Sequence, residues 1–86
     1  MKALRIKAVE YMGEYRLALT FSDGTRAAMD FRERIVGRGG VFTPLEDKTV
    51  FKQVVVDPEV GTIVFPGEID FCPDTLYEEA MALTTI

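Results

Sequence analysis

Between residues 15 and 31 the chain alternates apolar and polar positions with a period of two, and the turn in the middle does not break the pattern. Tyr15, Leu17, Leu19 and Phe21 share one face, and Ala27, Met29 and Phe31 share one face of the segment that follows. A period of two places successive side chains on opposite faces of a strand, so each segment reads as a strand with one buried face. Ser22-Asp23-Gly24-Thr25 joins them with turn chemistry: the aspartate bonds its local backbone, and the glycine supplies a positive φ. Residues 4–12 alternate at first and then change phase near Ala8-Val9, which predicts a strand with a bulge. Gly13-Glu14 fits a two-residue hairpin turn. These signals predict an antiparallel three-stranded meander that rests one face on the core.

Shorter elements follow. Asp30 is positioned to cap a short helix over residues 31–36, with Glu33 completing a capping box, and Gly37-Arg38-Gly39-Gly40 ends it. Thr43-Pro44 suggests a second cap, with proline at the first helical position of about one turn. Residues 51–57, centred on Val54-Val55-Val56, read as a strand. Asp57-Pro58-Glu59-Val60-Gly61 then turns the chain, residues 62–65 return, and Pro66-Gly67 breaks the strand. Pro73 opens a last helix over residues 74–83, with Leu76, Tyr77, Ala80, Met81 and Leu83 on one face and Glu78 and Glu79 on the other. Residues 84–86 read as a frayed end. The order predicts an α+β fold, with residues 1–86 as a single domain. It comprises the meander, short helical turns, a β-hairpin and a C-terminal helix packed on one mixed or antiparallel sheet.

Composition limits the chemistry. The chain has 86 residues, enough to bury roughly 60% of its unfolded surface, and six Phe and three Tyr are its bulkiest core candidates. It has no histidine, which removes the commonest general base, the Ser–His and Cys–His dyads and the commonest zinc ligand. Cys72 is the only cysteine, so no intramolecular disulfide forms. It stands just before the last helix, where its pKa could fall, but without a histidine base it reads as a buried, inert thiol. No apolar run approaches the ~20 residues that span a bilayer, and the first ten residues lack the apolar core of a secretory signal. The expectation is a cytoplasmic, non-catalytic domain with no cofactor, no metal and no membrane contact.

The second half of the chain resembles a known family. Phe42-Thr43-Pro44-Leu45, Phe51, the run from Asp57-Pro58-Glu59-Val60-Gly61 through Phe65-Pro66-Gly67, Ile69-Asp70 and Pro73-Asp74-Thr75-Leu76-Tyr77 are similar to the bacterial domain of unknown function 2442. The hairpin from Tyr15-Arg16-Leu17 to Phe21-Ser22-Asp23-Gly24 fits the family's opening, so the resemblance spans nearly the whole chain. It implies an α+β fold and no established activity. Some members carry a helix-turn-helix after this domain, which is not expected here; others look like partners of a second small protein, in the manner of toxin–antitoxin pairs. The chain departs from the family at Phe65, where a Trp is usual. It also departs at Pro66-Gly67-Glu68-Ile69-Asp70, where the family usually reads Pro-Asn-Gly-x-Asp.

Charge divides the chain in two. Residues 1–52 hold all ten Lys and Arg against seven acids, for +3; residues 53–86 hold seven acids and no base, for −7; the sum is −4. Arg32, Arg34 and Arg38, beside the glycine-rich loop, are the candidate anion surface, although neither a P-loop nor a dinucleotide fingerprint is present. Asp57, Glu59, Glu68 and Asp70 are the candidate acidic partner surface; with Asp74 they offer oxygen ligands but match no EF-hand loop. Tyr77, Met81 and Leu83 form a stripe that core packing explains. The leading expectation is an interaction or regulatory module, antitoxin-like, that binds a protein partner encoded by an adjacent gene. The alternative is a nucleic-acid-associated domain using the arginines, which the overall acidity disfavours. A small metal- or carboxylate-dependent enzyme ranks last, and the oligomeric state is left open.

Overall fold

The computed structural model describes residues 4–84, without the side chains of Leu83 and Thr84. The alternating residues form a three-stranded antiparallel sheet in the order β1 (Ile6–Tyr11), β2 (Arg16–Phe21) and β3 (Arg26–Asp30). Leu17, Leu19, Phe21, Ala27, Met29 and Phe31 are buried, as their spacing requires. The register of β1 on β2 shifts between Ile6 and Ala8, so the bulge lies at the start of the strand, one or two positions before the change of phase in the sequence. In the β2–β3 turn, Asp23 Oδ1 accepts the Thr25 N–H at 2.9 Å and Gly24 takes φ +92°. The β1–β2 connection differs from expectation. Arg16 N–H bonds Gly13 O, so Gly13-Glu14-Tyr15 is a three-residue loop and Tyr15 leaves the strand while staying buried.

The middle of the chain departs furthest from the sequence reading. Asp30 Oδ1 accepts the Arg32 N–H at 2.9 Å, but no capping box forms on α1 (Arg32–Ile35), whose N-cap residue is Phe31. Thr43 caps nothing: Pro44 lies inside a 3-10 helix, Gly40–Glu46. The cap belongs to Asp47, whose Oδ1 accepts the Thr49 N–H at 2.8 Å and opens α2 (Lys48–Phe51). Phe51 is therefore helical, and the strand predicted over residues 51–57 contracts to β4 (Val55–Asp57). A capped turn with lysine and threonine in its first positions outweighs the β-branched run behind it.

β4 pairs with β5 (Thr62–Phe65), and β5 with β6 (Ile69–Asp70), a two-residue strand absent from the sequence reading. The fold is α+β, but with two antiparallel three-stranded sheets in place of one. The last helix, α3 (Pro73–Thr84), buries Leu76 and Ala80 and lays Tyr77 edge-on against Phe21, 5.1 Å between ring centroids. Met81 is 41% exposed, so the buried stripe is narrower than its spacing suggested; the Leu83 side chain and the terminal residues 85 and 86 lie outside the described set. No helix among the described residues is long and apolar enough to cross a membrane.

The two sheets share one core, and aromatic rings join them. Phe51 packs against Tyr11, Tyr15 and Phe31 of the first sheet and its flanks, and against Phe65 of the second at 5.1 Å. Phe31 also meets Phe65 and Phe71. At the edge of this core the Thr62 hydroxyl, 1% exposed, donates to Phe71 O at 2.6 Å. Thr62→Val removes the donor and leaves that carbonyl without it. It should lower the unfolding free energy by about 1–3 kcal/mol, read from the midpoint of urea denaturation.

Candidate functional site

The structure separates the three candidate arginines. Arg32 lies over the Tyr15 ring, 5.0 Å from its centroid, and pairs with Glu14 at 3.8 Å. Lys48 shares both partners, pairing with Glu14 at 2.5 Å. Its ammonium, by hydrogen bond and then by charge, holds the Glu14 carboxyl below its usual range. Glu14 thus ties the β1–β2 loop to α1 and α2. Arg34 covers the Phe31 ring and forms an ion pair with Glu79 of α3. Arg38 donates Nε–H to Glu33 O at 2.8 Å. Arg34 and Arg38 line one groove with Asp30, Glu33 and Glu79, but Arg32 is not among its walls. The arginines therefore form no single basic patch, and the groove that holds two of them is also lined with carboxylates.

The glycine-rich loop beside them has its own geometry. Gly37, Gly39 and Gly40 all take positive φ, which this path of the backbone requires of glycine. The loop is anchored where Glu46 Oε2 accepts the Gly37 N–H at 3.1 Å.

The acidic candidates sit on the turns and edge of the second sheet. Asp57 Oδ1 accepts the Glu59 N–H at 2.9 Å and shapes the β4–β5 turn. Glu68 occupies the β5–β6 turn with φ +62°, and Asp70 lies on β6 opposite Val64. Glu59, Glu68 and Asp70 are exposed. Among the described residues, no three His, Cys, Asp or Glu side chains converge as a metal site would require. The acids are spread along the second sheet, Asp57 and Glu59 at one end of β5 and Glu68 at the other, and they do not meet at a point.

Cys72 corrects an expectation. It is exposed, because it occupies the position before α3, with its carbonyl accepting the Leu76 N–H at 3.1 Å. There the N–H groups of Thr75 and Asp74 hold its thiol below the ordinary value of 9.0.

Sequence reasoning also missed a second groove, of about 840 Å³, lined by Leu4, Arg5, Ile6, Lys7, Asp23 and Pro58 among others. The Arg5 guanidinium reaches across it to Pro58 O at 2.5 Å and Glu59 O at 3.2 Å, strapping the β4–β5 turn to the start of β1. Gly61 makes room for this: a Cβ there would stand 3.0 Å from the guanidinium, and φ is +79°. Asp23 has a similar long-range role, accepting the Tyr77 hydroxyl at 2.6 Å and tying the β2–β3 turn to α3. Contacts of such sequence separation leave no local signal; the glycine in Val60-Gly61-Thr62 was the nearest clue.

Comparison with known proteins agrees with the family resemblance of the motifs. Residues 6–82 match the family described as protein of unknown function DUF2442. The chain belongs to that family. No curated protein and no solved structure matches it. Within this DUF2442 chain, the departure at Gly67-Glu68 acquires a physical meaning. Both residues take positive φ, +91° and +62°, the conformation that glycine and asparagine adopt most readily.

Two predictions follow from these geometries. The Tyr77 hydroxyl and then the Thr25 N–H hold the Asp23 carboxyl below its ordinary 3.8. A lowered folded pKa stabilises the fold fully above that value, and the stabilisation is lost as pH falls through the lower folded pKa. Tyr77→Phe should therefore flatten the dependence of thermal stability on pH below about 4, measured as melting temperature against pH. The second concerns the β5–β6 turn. A non-glycine residue in the left-handed region costs about 1–2 kcal/mol, so Glu68→Gly should raise stability by about 0.5–1 kcal/mol after the extra unfolded-state entropy. Glu14→Gly, at φ +52°, should gain less, because it also removes the Lys48 and Arg32 ion pairs. Urea denaturation of the two variants side by side measures the difference.

Proposed function

We propose that this domain is a non-catalytic interaction module, an antitoxin-like or regulatory partner of a small protein encoded beside it, acting in the cytoplasm. The observation that carries this reading is the distribution of unpaired charge. Of the seven acids beyond Gln53, only Glu79 has an ion-pair partner among the described residues, and that pair, with Arg34, is the one that joins the two charge segments. The remaining ion pairs, Arg26–Glu10, Arg32–Glu14 and Lys48–Glu14, lie within the first segment. The basic excess is thus partly consumed at home, while Glu59, Glu68, Asp70, Asp74 and Glu78 are exposed and form no ion pair among the described residues. A surface of one sign attracts an oppositely charged partner and speeds its association. A partner with a basic face fits it.

Co-expression with the product of the adjacent gene tests the reading. A stable complex should co-purify, and the triple substitution Glu59→Gln, Glu68→Gln, Asp70→Asn should slow its association about tenfold and flatten its salt dependence. Failure to form a complex, together with measurable turnover of a substrate by the isolated domain, would overturn it.

A further inference from the structure

The exposed edge of the first sheet carries a self-complementary charge pattern. Phe21 N–H bonds Thr25 O, and Phe31 N–H bonds Tyr15 O, on the register that pairs Leu19 with Ala27 and Leu17 with Met29. The odd-numbered residues of β3 therefore turn their N–H and C=O groups toward β2. In an antiparallel ladder the residues between them turn theirs the other way. Arg26, Ala28 and Asp30 thus present their backbone groups to the free side of β3, where none finds a backbone partner among the described residues. Their side chains are exposed as well, on the outer face of the sheet. Beside the Asp30 end an open groove separates β3 from α3, which packs against this strand; Met29, Glu33, Arg34, Glu79 and Ala82 are among its walls.

We infer that this edge pairs antiparallel with the same edge of a second copy of the chain, joining two meanders into one continuous six-stranded sheet about a two-fold axis at Ala28. The occupant follows from the order of residues in Arg26-Ala27-Ala28-Met29-Asp30. When the strand is placed against itself in reverse about Ala28, Arg26 opposes Asp30 of the second copy, and Asp30 opposes its Arg26. The two alanines meet at the axis without crowding. The three residues with outward backbone groups are also the ones that oppose one another, so each opposing pair exchanges both N–H···O bonds. A two-fold contact must be self-complementary, and this pattern is. The present partners of the two charges do not prevent the exchange. Arg26 holds Glu10 in an exposed pair at 3.2 Å, which contributes little, and Asp30 uses only Oδ1 on the Arg32 N–H. Charged residues commonly guard an edge strand against pairing; here their opposite signs, symmetric about Ala28, specify one pairing. This self-association uses a surface separate from the acidic region of the proposed partner, so either can fail without the other.

Sedimentation equilibrium of the full chain tests it. The expected mass is twice the 9.6 kDa of the single chain at high concentration. Arg26→Asp and Asp30→Arg, each alone, place like charges opposite one another at both ends and should raise the dimer dissociation constant at least tenfold. An equimolar mixture of the two single variants restores both opposite-sign pairs and should dimerise again, as should the double exchange within one chain. Recovery on mixing shows that each variant is folded, and circular dichroism of each checks it independently. A wild-type chain that stays at 9.6 kDa up to millimolar concentration, or a dimer indifferent to both charge reversals, overturns the inference.

Discussion

The packing of Phe51 on its aromatic neighbours is the contact on which the rest of the structure depends. Each three-stranded sheet is small, and a sheet with one apolar face needs something to cover it. Phe51 comes from a four-residue helix that belongs to neither sheet. It touches Tyr11, Tyr15 and Phe31 on one side and Phe65 on the other. The short α2 therefore works as a wedge: capped by Asp47 and braced by the Tyr15 hydroxyl on Glu46 O, it holds one ring between two sheets. Edge-to-face contacts among these rings add to the area they bury. The peripheral fastenings, Arg5 on the β4–β5 turn and Tyr77 on Asp23, then lock outer turns onto a core already formed.

That core also explains which parts of the fold were legible in the sequence. The meander was legible because strands β2 and β3 obey one rule at every position: odd residues face the core and even ones face solvent. Around Phe51 two rules compete. Val54-Val55-Val56 signals a strand, but a capped turn absorbs Phe51 first, and the side chain that would have faced one sheet becomes the link between two. β6 was illegible because two residues carry no periodicity; only its pairing with Val64 and Phe65 defines it. Cys72 misled for a related reason. Residue type favours burial, but the position ahead of α3 turns the side chain toward exposed N–H groups of the helix.

The candidate charges show a different limit. Composition along the chain located the +3 and −7 segments correctly, yet pairing depends on the third dimension. Arg32, Arg34 and Arg38 look like one basic run, but a helix of a single turn splays the first two and the glycine-rich loop carries the third. Arg32 goes toward Glu14 and the β1–β2 loop, Arg34 toward Glu79 of α3, and Arg38 back onto the Glu33 carbonyl. Neighbours in sequence on so short a helix point to different elements. The acids after Gln53 have no base near them in sequence, and among the described residues only Glu79 finds an ion-pair partner in space.

The turn at Pro66-Gly67-Glu68 bears on the charge this chain presents at its surface. Left-handed backbone at both Gly67 and Glu68 is a demand of the β5–β6 connection, because Phe65 must enter the core while Ile69 pairs back beside it. Gly67 meets that demand with little strain; Glu68 is a charged residue left in the costly conformation. Glu68 is exposed, so its carboxylate contributes to the acidic surface of the second sheet. Phe65 shows the opposite behaviour. It is 1% exposed and meets Phe31, Phe51 and Phe71, so its ring is confined to the core. Of these two positions, Phe65 belongs to the core, and Glu68 adds its charge to the exposed surface.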